Sequence, residues 1–168
     1  MMPDQDADLL VIGSGPAGQK AAIQGAKSGR SVILVESSRE LGGSCVQRGT
    51  IPSKTLRENA LRVKNMRLNA KLANYKLPED LELNTLINRL SEVLAAHDVY
   101  MRNQVERNGV TCIHGKASFI TPHRVNITQV RGTNLVINAK NIVIATGSIP
   151  RMPDNIEVDH EHIFDSDS

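Results

Sequence analysis

Gly13, Gly15 and Gly18, within Gly13-Ser14-Gly15-Pro16-Ala17-Gly18, have the spacing of a turn that cradles phosphates. Gly13 allows the tight turn, Gly15 lets a pyrophosphate come against backbone, and Gly18 lets the following helix pack closely on its strand. That helix, opening at Pro16 and Ala17, offers free N–H groups and a partial positive charge. Glu36 follows 18 residues beyond Gly18, where an acidic side chain accepts hydrogen bonds from a ribose. Its charge favours an unphosphorylated adenosine ribose, as in FAD or NAD, and repels the 2′-phosphate of NADP.

A second run carries redox-capable side chains: Gly42-Gly43-Ser44-Cys45-Val46-Gln47-Arg48-Gly49-Thr50-Ile51-Pro52-Ser53-Lys54. Cys45 is its only thiol, and a lone cysteine forms no intramolecular disulfide. A thiol turns into a thiolate where a positive field lowers its pKa, and a lysine stabilises negative charge that develops beside it.

The order Gly42-Gly43-Ser44-Cys45, Ile51-Pro52-Ser53-Lys54 and Ala145-Thr146-Gly147 resembles the flavoprotein disulfide reductases, class I of the pyridine nucleotide-disulfide oxidoreductases. The resemblance covers essentially the whole chain, with Gly115-Lys116-Ala117 similar to the segment that lies against the adenine. It implies FAD as cofactor, with Gly43 and Cys45 beside the flavin, Lys54 near its N5, and Thr146-Gly147 along the pyrophosphate. Ser37, Gly42, Ser44, Ala117 and Ala145 complete the implied cofactor contacts, and Cys45 and Lys54 are the implied catalytic residues. Where the family has a second cysteine, with four residues between it and the first, this chain has Thr50. Within the family that pattern, followed by Ile51-Pro52-Ser53-Lys54, resembles the branch of soluble pyridine nucleotide transhydrogenases, as does Phe164-Asp165-Ser166-Asp167-Ser168. The implied reaction is hydride transfer from NADPH to FAD and from reduced FAD to NAD.

The elements that must position these residues follow from local pattern. Asp8 to Ile12 is a buried strand, Pro16 to Lys27 a small-residue helix ending at Gly29, and Ser31 to Val35 a second strand closing at Glu36. Leu56, Ala60, Val63, Met66 and Ala70 make an apolar stripe on one helix. Leu83, Leu86, Ile87, Leu90, Val93, Leu94, Met101 and Val105 make another, ending at Asn108-Gly109, with a turn at Pro78, Glu79 and Asp80. Val110 to Ile120, Arg124 to Val130 and Leu135 to Ala139 read as three strands of a meander, and Asn141 to Ile144 as a further strand. The expectation is a single α/β domain over 1–168: a Rossmann-like FAD-binding domain with a parallel sheet, an inserted antiparallel helical hairpin (about 53–108) and a three-stranded β-meander (about 110–140).

With 168 residues, the chain is long enough for one core and short for a complete pyridine-nucleotide flavoenzyme. The resemblance implies that the NAD(P) and dimerisation domains are missing, so that the chain is the first part of a discontinuous FAD domain, truncated or completed by a complementary chain or a homo-oligomer. NADPH and NAD would then be partners only with those domains. A net charge of +2 and two tryptophan-free pairs of aromatics, two Tyr and two Phe, argue against nucleic acid. No apolar run spans a bilayer, and Cys45 and Cys112 fit a reducing cytoplasm, with Cys112 expected as a small core residue. His160 and His162 flank Glu161 without further ligands, so no metal is expected. Two other readings stay open: a lipoamide dehydrogenase-like flavoprotein fragment that lost its redox disulfide, and a catalytically silent nucleotide-binding module.

Overall fold

β1 (Gln5–Ile12) and β2 (Val32–Glu36) run parallel, with Leu9 opposite Val32 and Ile12 opposite Val35. The helix α1 (Pro16–Lys27) connects them: Gly15 caps it, Pro16 opens it, and Ser28-Gly29 ends it. Pro16 suits that place because its fixed φ is helical and its missing N–H would have had no partner. The computed structural model describes residues 4–75, 83–130 and 132–166. The turn expected at Pro78, Glu79 and Asp80 lies outside them.

After β2 come a short helix α2 (Gly43–Gln47), then α3 (Thr50–Leu72) and α4 (Leu83–Arg107). The remaining strands are β3 (Thr111–Thr121), β4 (Arg124–Gln129) and β5 (Asn134–Ile144). β3 begins parallel to β2, Glu36 facing His114, and then turns antiparallel against β4. β5 pairs antiparallel with β4 through Asn134 to Asn138 and parallel with β1 as far as Ile144.

The sheet is therefore mixed and closes as a five-stranded barrel, β1-β2-β3-β4-β5, where a parallel sheet with a three-stranded meander was expected. Leu135–Ala139 and Asn141–Ile144 are likewise one strand. The reason is length: at 11 residues each, β3 and β5 serve two partners in succession, one half in the meander and one half beside β1 or β2.

Two cores follow. Inside the barrel, Ala7, Leu10, Ile33, Val35, Ile113, Val125, Ile127, Leu135, Ile137 and Ala139 pack together. Outside it, Val11, Val32 and Leu34 pack against Ala22 of α1, Val46 of α2, and Met101 and Val105 of α4. Each fully buried aliphatic side chain contributes about 1.5–3 kcal/mol. Strict alternation would separate Ala7 from Leu10. The facing changes at Asp8 and Leu9, whose amides both donate to the Ser31 carbonyl at 3.0 and 3.1 Å, while the pairing with β5 keeps its register.

Two expected burials are not observed. The α3 stripe is largely exposed, Leu56 to 37% and Met66 to 51%, because α3 leans chiefly on α2 and α4, with Ile51 at its start reaching the outer core. The buried residue of α3 is instead Asn59. Cys112 is also exposed, because it lies on the outer face of β3 while Ile113 next to it points into the barrel.

Candidate functional site

The carboxyl ends of β1, β2 and β5 meet at one edge of the barrel. Gly13 donates to the Val35 carbonyl at 2.8 Å, and Ala145 donates to the Ile12 carbonyl at 2.8 Å. The turn after β1 and the Ala145-Thr146-Gly147 segment after β5 are thereby brought together. Gly13 has φ +103°, and a Cβ there would meet the Ala145 carbonyl oxygen. At Gly15, by contrast, a Cβ would meet nothing within 4 Å. The N-terminus of α1 has no side-chain cap and no acidic residue in its first turn. Open space over an uncapped helix N-terminus fits an anionic diphosphate.

Glu36, at the end of β2, is 8% exposed and meets four donors. Its Oε2 accepts from the Ser14 amide at 2.7 Å and the Ser14 hydroxyl at 2.6 Å. Its Oε1 accepts from the Ser38 amide at 2.8 Å and the Ser37 hydroxyl at 3.2 Å. Burial pushes the carboxyl pKa up, but the hydrogen bonds, that from the Ser14 hydroxyl foremost, outweigh it and hold the pKa below its ordinary value. Glu36 is an ionised, oriented acceptor.

The Gly42-Gly43 turn is fastened beside it. The Gly42 amide reaches both the carbonyl and the hydroxyl oxygen of Ser14 at 3.2 Å, and a Cβ on Gly43 would stand 3.0 Å from the Gly15 Cα. From the other side, Asp98 of α4 accepts from the Leu41 amide at 2.8 Å and from Arg102 Nε at 2.7 Å, and Arg102 donates to the Arg39 carbonyl at 2.6 Å. The loop from Glu36 to Gly43 is thus held between the barrel edge and α4.

Ser44 and Cys45 sit on α2, Ser44 exposed and Cys45 half-buried. The Ser44 carbonyl accepts from the Arg48 and Gly49 amides at 3.0 and 2.8 Å, which turns the chain into α3. Thr50 opens α3, and Lys54 stands exposed on its first turns. Ala117 lies elsewhere, on β3 three residues beyond the Glu36–His114 pair, packed against the barrel interior.

Sequence reasoning missed Ser14 as a functional residue, as well as Gln19, whose side chain donates to the Ser14 carbonyl at 2.8 Å, and the Asp98–Arg102 pair. Ser14 carried one signal, a polar residue beside the glycine that turns toward Glu36. Asp98 and Arg102 carried none beyond an ordinary i,i+4 spacing.

A family model for pyridine nucleotide-disulphide oxidoreductases matches residues 7–168. The soluble pyridine nucleotide transhydrogenase of Mycobacterium bovis is 42% identical over 165 residues, covering 97% of this chain and 35% of the relative. The soluble pyridine nucleotide transhydrogenase of Colwellia psychrerythraea is 37% identical over 163 residues, with the same shares. Among solved structures, an HOCl-induced flavoprotein disulfide reductase from Escherichia coli, in a copper(II) complex, superposes with a TM-score of 0.77 at 26% identity, covering 97% of this chain and 34% of that one. The chain spans about a third of the length of these relatives. Among the described residues, no helix is long and apolar enough to cross a membrane.

Proposed function

The chain belongs to the pyridine nucleotide-disulphide oxidoreductase family, and from that premise we propose that it is the FAD-binding portion of an oxidoreductase that moves hydride between NADPH and NAD through the flavin. FAD is the cofactor that the family match and the flavoprotein neighbour indicate. When bound, it supplies a reversible acceptor for a hydride equivalent.

Thr50 carries the choice of reaction. A disulfide reductase needs two thiols in reach of each other, and the segment from Cys45 to Lys54 has one. Bound FAD would supply a hydride equivalent that a lone Cys45 would be unable to take up as a dithiol, which favours a second pyridine nucleotide as the acceptor. The chain's own residues then do the holding. Gly15 and the uncapped N-terminus of α1 receive the diphosphate, and the ionised Glu36 accepts from the ribose. By the resemblance, the Gly42-Gly43 turn and Cys45 would lie beside bound flavin, and Lys54 would supply positive charge there. The transhydrogenase relatives, 35% covered, support assigning the NADPH and NAD sites and any dimerisation surface to further sequence or a complementary chain. Two free thiols, Cys45 and Cys112, suit a reducing cytoplasm.

The first test is colour. Chain purified with FAD is expected to be yellow and to release FAD on denaturation; colourless protein that takes up no added FAD overturns the assignment. The second test joins the chain to a polypeptide supplying the nucleotide site and compares hydride transfer from NADPH to an NAD analogue with reduction of lipoamide. Faster lipoamide reduction would replace the transhydrogenase reading with a dehydrogenase.

A further inference from the structure

The two oxygens of Glu36 are held in different ways. Oε2 is bonded by the amide and hydroxyl of one residue, Ser14, which is 0% exposed. Oε1 is bonded by the Ser38 amide at 2.8 Å and, more loosely, by the hydroxyl of exposed Ser37 at 3.2 Å. An ionised carboxylate accepts about four hydrogen bonds, so all of its places are taken before any sugar arrives.

We propose that Ser14 is a positioning residue that keeps Oε2 permanently occupied, and that the Ser37 hydroxyl stands in for a ribose hydroxyl, leaving Oε1 as the oxygen of Glu36 that reads the sugar. The inference rests on the FAD assignment above. Ser14 is unable to swing aside without loss. Its hydroxyl donates to Glu36 and accepts from the Gly42 amide, and its carbonyl accepts from Gln19 Nε2 and Gly42. Rotating it away would orphan buried groups of both the carboxylate and the Gly42 turn, which is costly. Ser37 gives up one long bond and turns to water, which replaces it at little cost. The Ser38 amide stays in place as backbone. One lone pair of Oε1 is thereby freed for one hydroxyl of the ribose.

The test titrates the full chain and two variants with FAD and with its 2′-deoxy- and 3′-deoxyadenosine analogues, following flavin fluorescence. Ser37→Ala removes an internal competitor and is expected to tighten FAD by about threefold. Ser14→Ala keeps the backbone amide on Oε2 and removes the hydroxyl, so it is expected to weaken FAD on the order of tenfold, and to lower the penalty for the more sensitive deoxy analogue, because a carboxylate held at Oε2 by one donor instead of two distinguishes the sugars less sharply. A purely structural role for Ser14 would weaken all three ligands alike and leave that ratio unchanged, which overturns the proposal. Ser37→Ala that fails to tighten FAD also overturns it, and does so even where Ser14→Ala does not fold. Wild-type chain that binds none of the three ligands overturns the FAD assignment itself.

Discussion

A Cβ placed on Gly13 would sit 2.3 Å from the carbonyl oxygen of Ala145, although 132 residues separate the two. The turn after β1 is thus shaped to the end of β5, which the barrel brings alongside it. Gly13 also has φ +103°, a conformation that L side chains rarely adopt.

The first prediction separates fold from cofactor within one glycine motif. Gly13→Ala is expected to destabilise the protein by about 3 kcal/mol or more, through the clash and the backbone strain together. Gly15→Ala meets no atom within 4 Å and has φ −63°, so its stability is expected to stay within about 0.5 kcal/mol of wild type. Its methyl enters the space left for the pyrophosphate, and FAD affinity is expected to fall at least on the order of tenfold. Urea unfolding beside an FAD titration checks both. Equal stability losses for the two variants would contradict the division.

Asn59 supports a second prediction. It is 8% exposed on α3, and its Nδ2 has no hydrogen-bond partner among the described residues. A buried donor left unpaired costs about 1–3 kcal/mol. Asn59→Leu, of similar volume and without the amide, is expected to raise stability by about 1 kcal/mol. A lower urea midpoint for the variant would show that the amide meets an acceptor in solution.

What the sequence revealed and what it concealed divide along physical lines. The Gly13–Gly18 turn, α1 and the end of β2 at Glu36 depend on local chemistry, and each forms where its residues predict. The C-terminal part of the α4 stripe holds, with Met101 and Val105 buried against the barrel and Leu94 packed beside them, while the side chains of Leu83, Leu86 and Ile87 lie outside the described residues. Periodicity misled on α3, since an apolar stripe reports only that a helix has two faces. Nothing in Leu56 or Met66 reveals that α3 rests on other helices and leaves that stripe to solvent. Barrel closure was hidden for a related reason. It requires β3 and β5 to change partners midway, and each change depends on strands far away in sequence. Ser14 was hidden because its role exists only once Glu36, 22 residues on, has folded over it.

The third prediction concerns acid. Asp159 Oδ1 accepts from the amides of Glu161, His162 and Ile163 at 2.9, 2.8 and 2.8 Å, and these bonds lower its pKa to about 2. A carboxyl with a depressed folded pKa stabilises its turn fully above its ordinary value, about 3.9, and loses that contribution as pH falls through the folded value. The three amide resonances are therefore expected to stay in place from neutral pH to about 4 and to titrate together with a midpoint near 2. A midpoint near the ordinary value, or three separate midpoints, would show that the turn does not form in solution.

The last prediction returns to Thr50. A disulfide needs Cα atoms about 4.4–6.8 Å apart, and the chain around Gly49 approaches α2 closely. A Cβ on Gly49 would stand 3.3 Å from the Ser44 carbonyl oxygen and 4.0 Å from the Cys45 Cα. The next residue, Thr50, opens α3 beside that contact. If Thr50 alone prevents a dithiol relay, Thr50→Cys restores the pair without rebuilding the site. Wild-type protein, whose two cysteines are both free, is expected to keep both thiols after mild oxidation. The variant is expected to keep only Cys112, with Cys45 joined to the new residue. Three titratable thiols in the oxidised variant would mean that the backbone here differs from that of a disulfide reductase, so that more than one side chain separates the two chemistries.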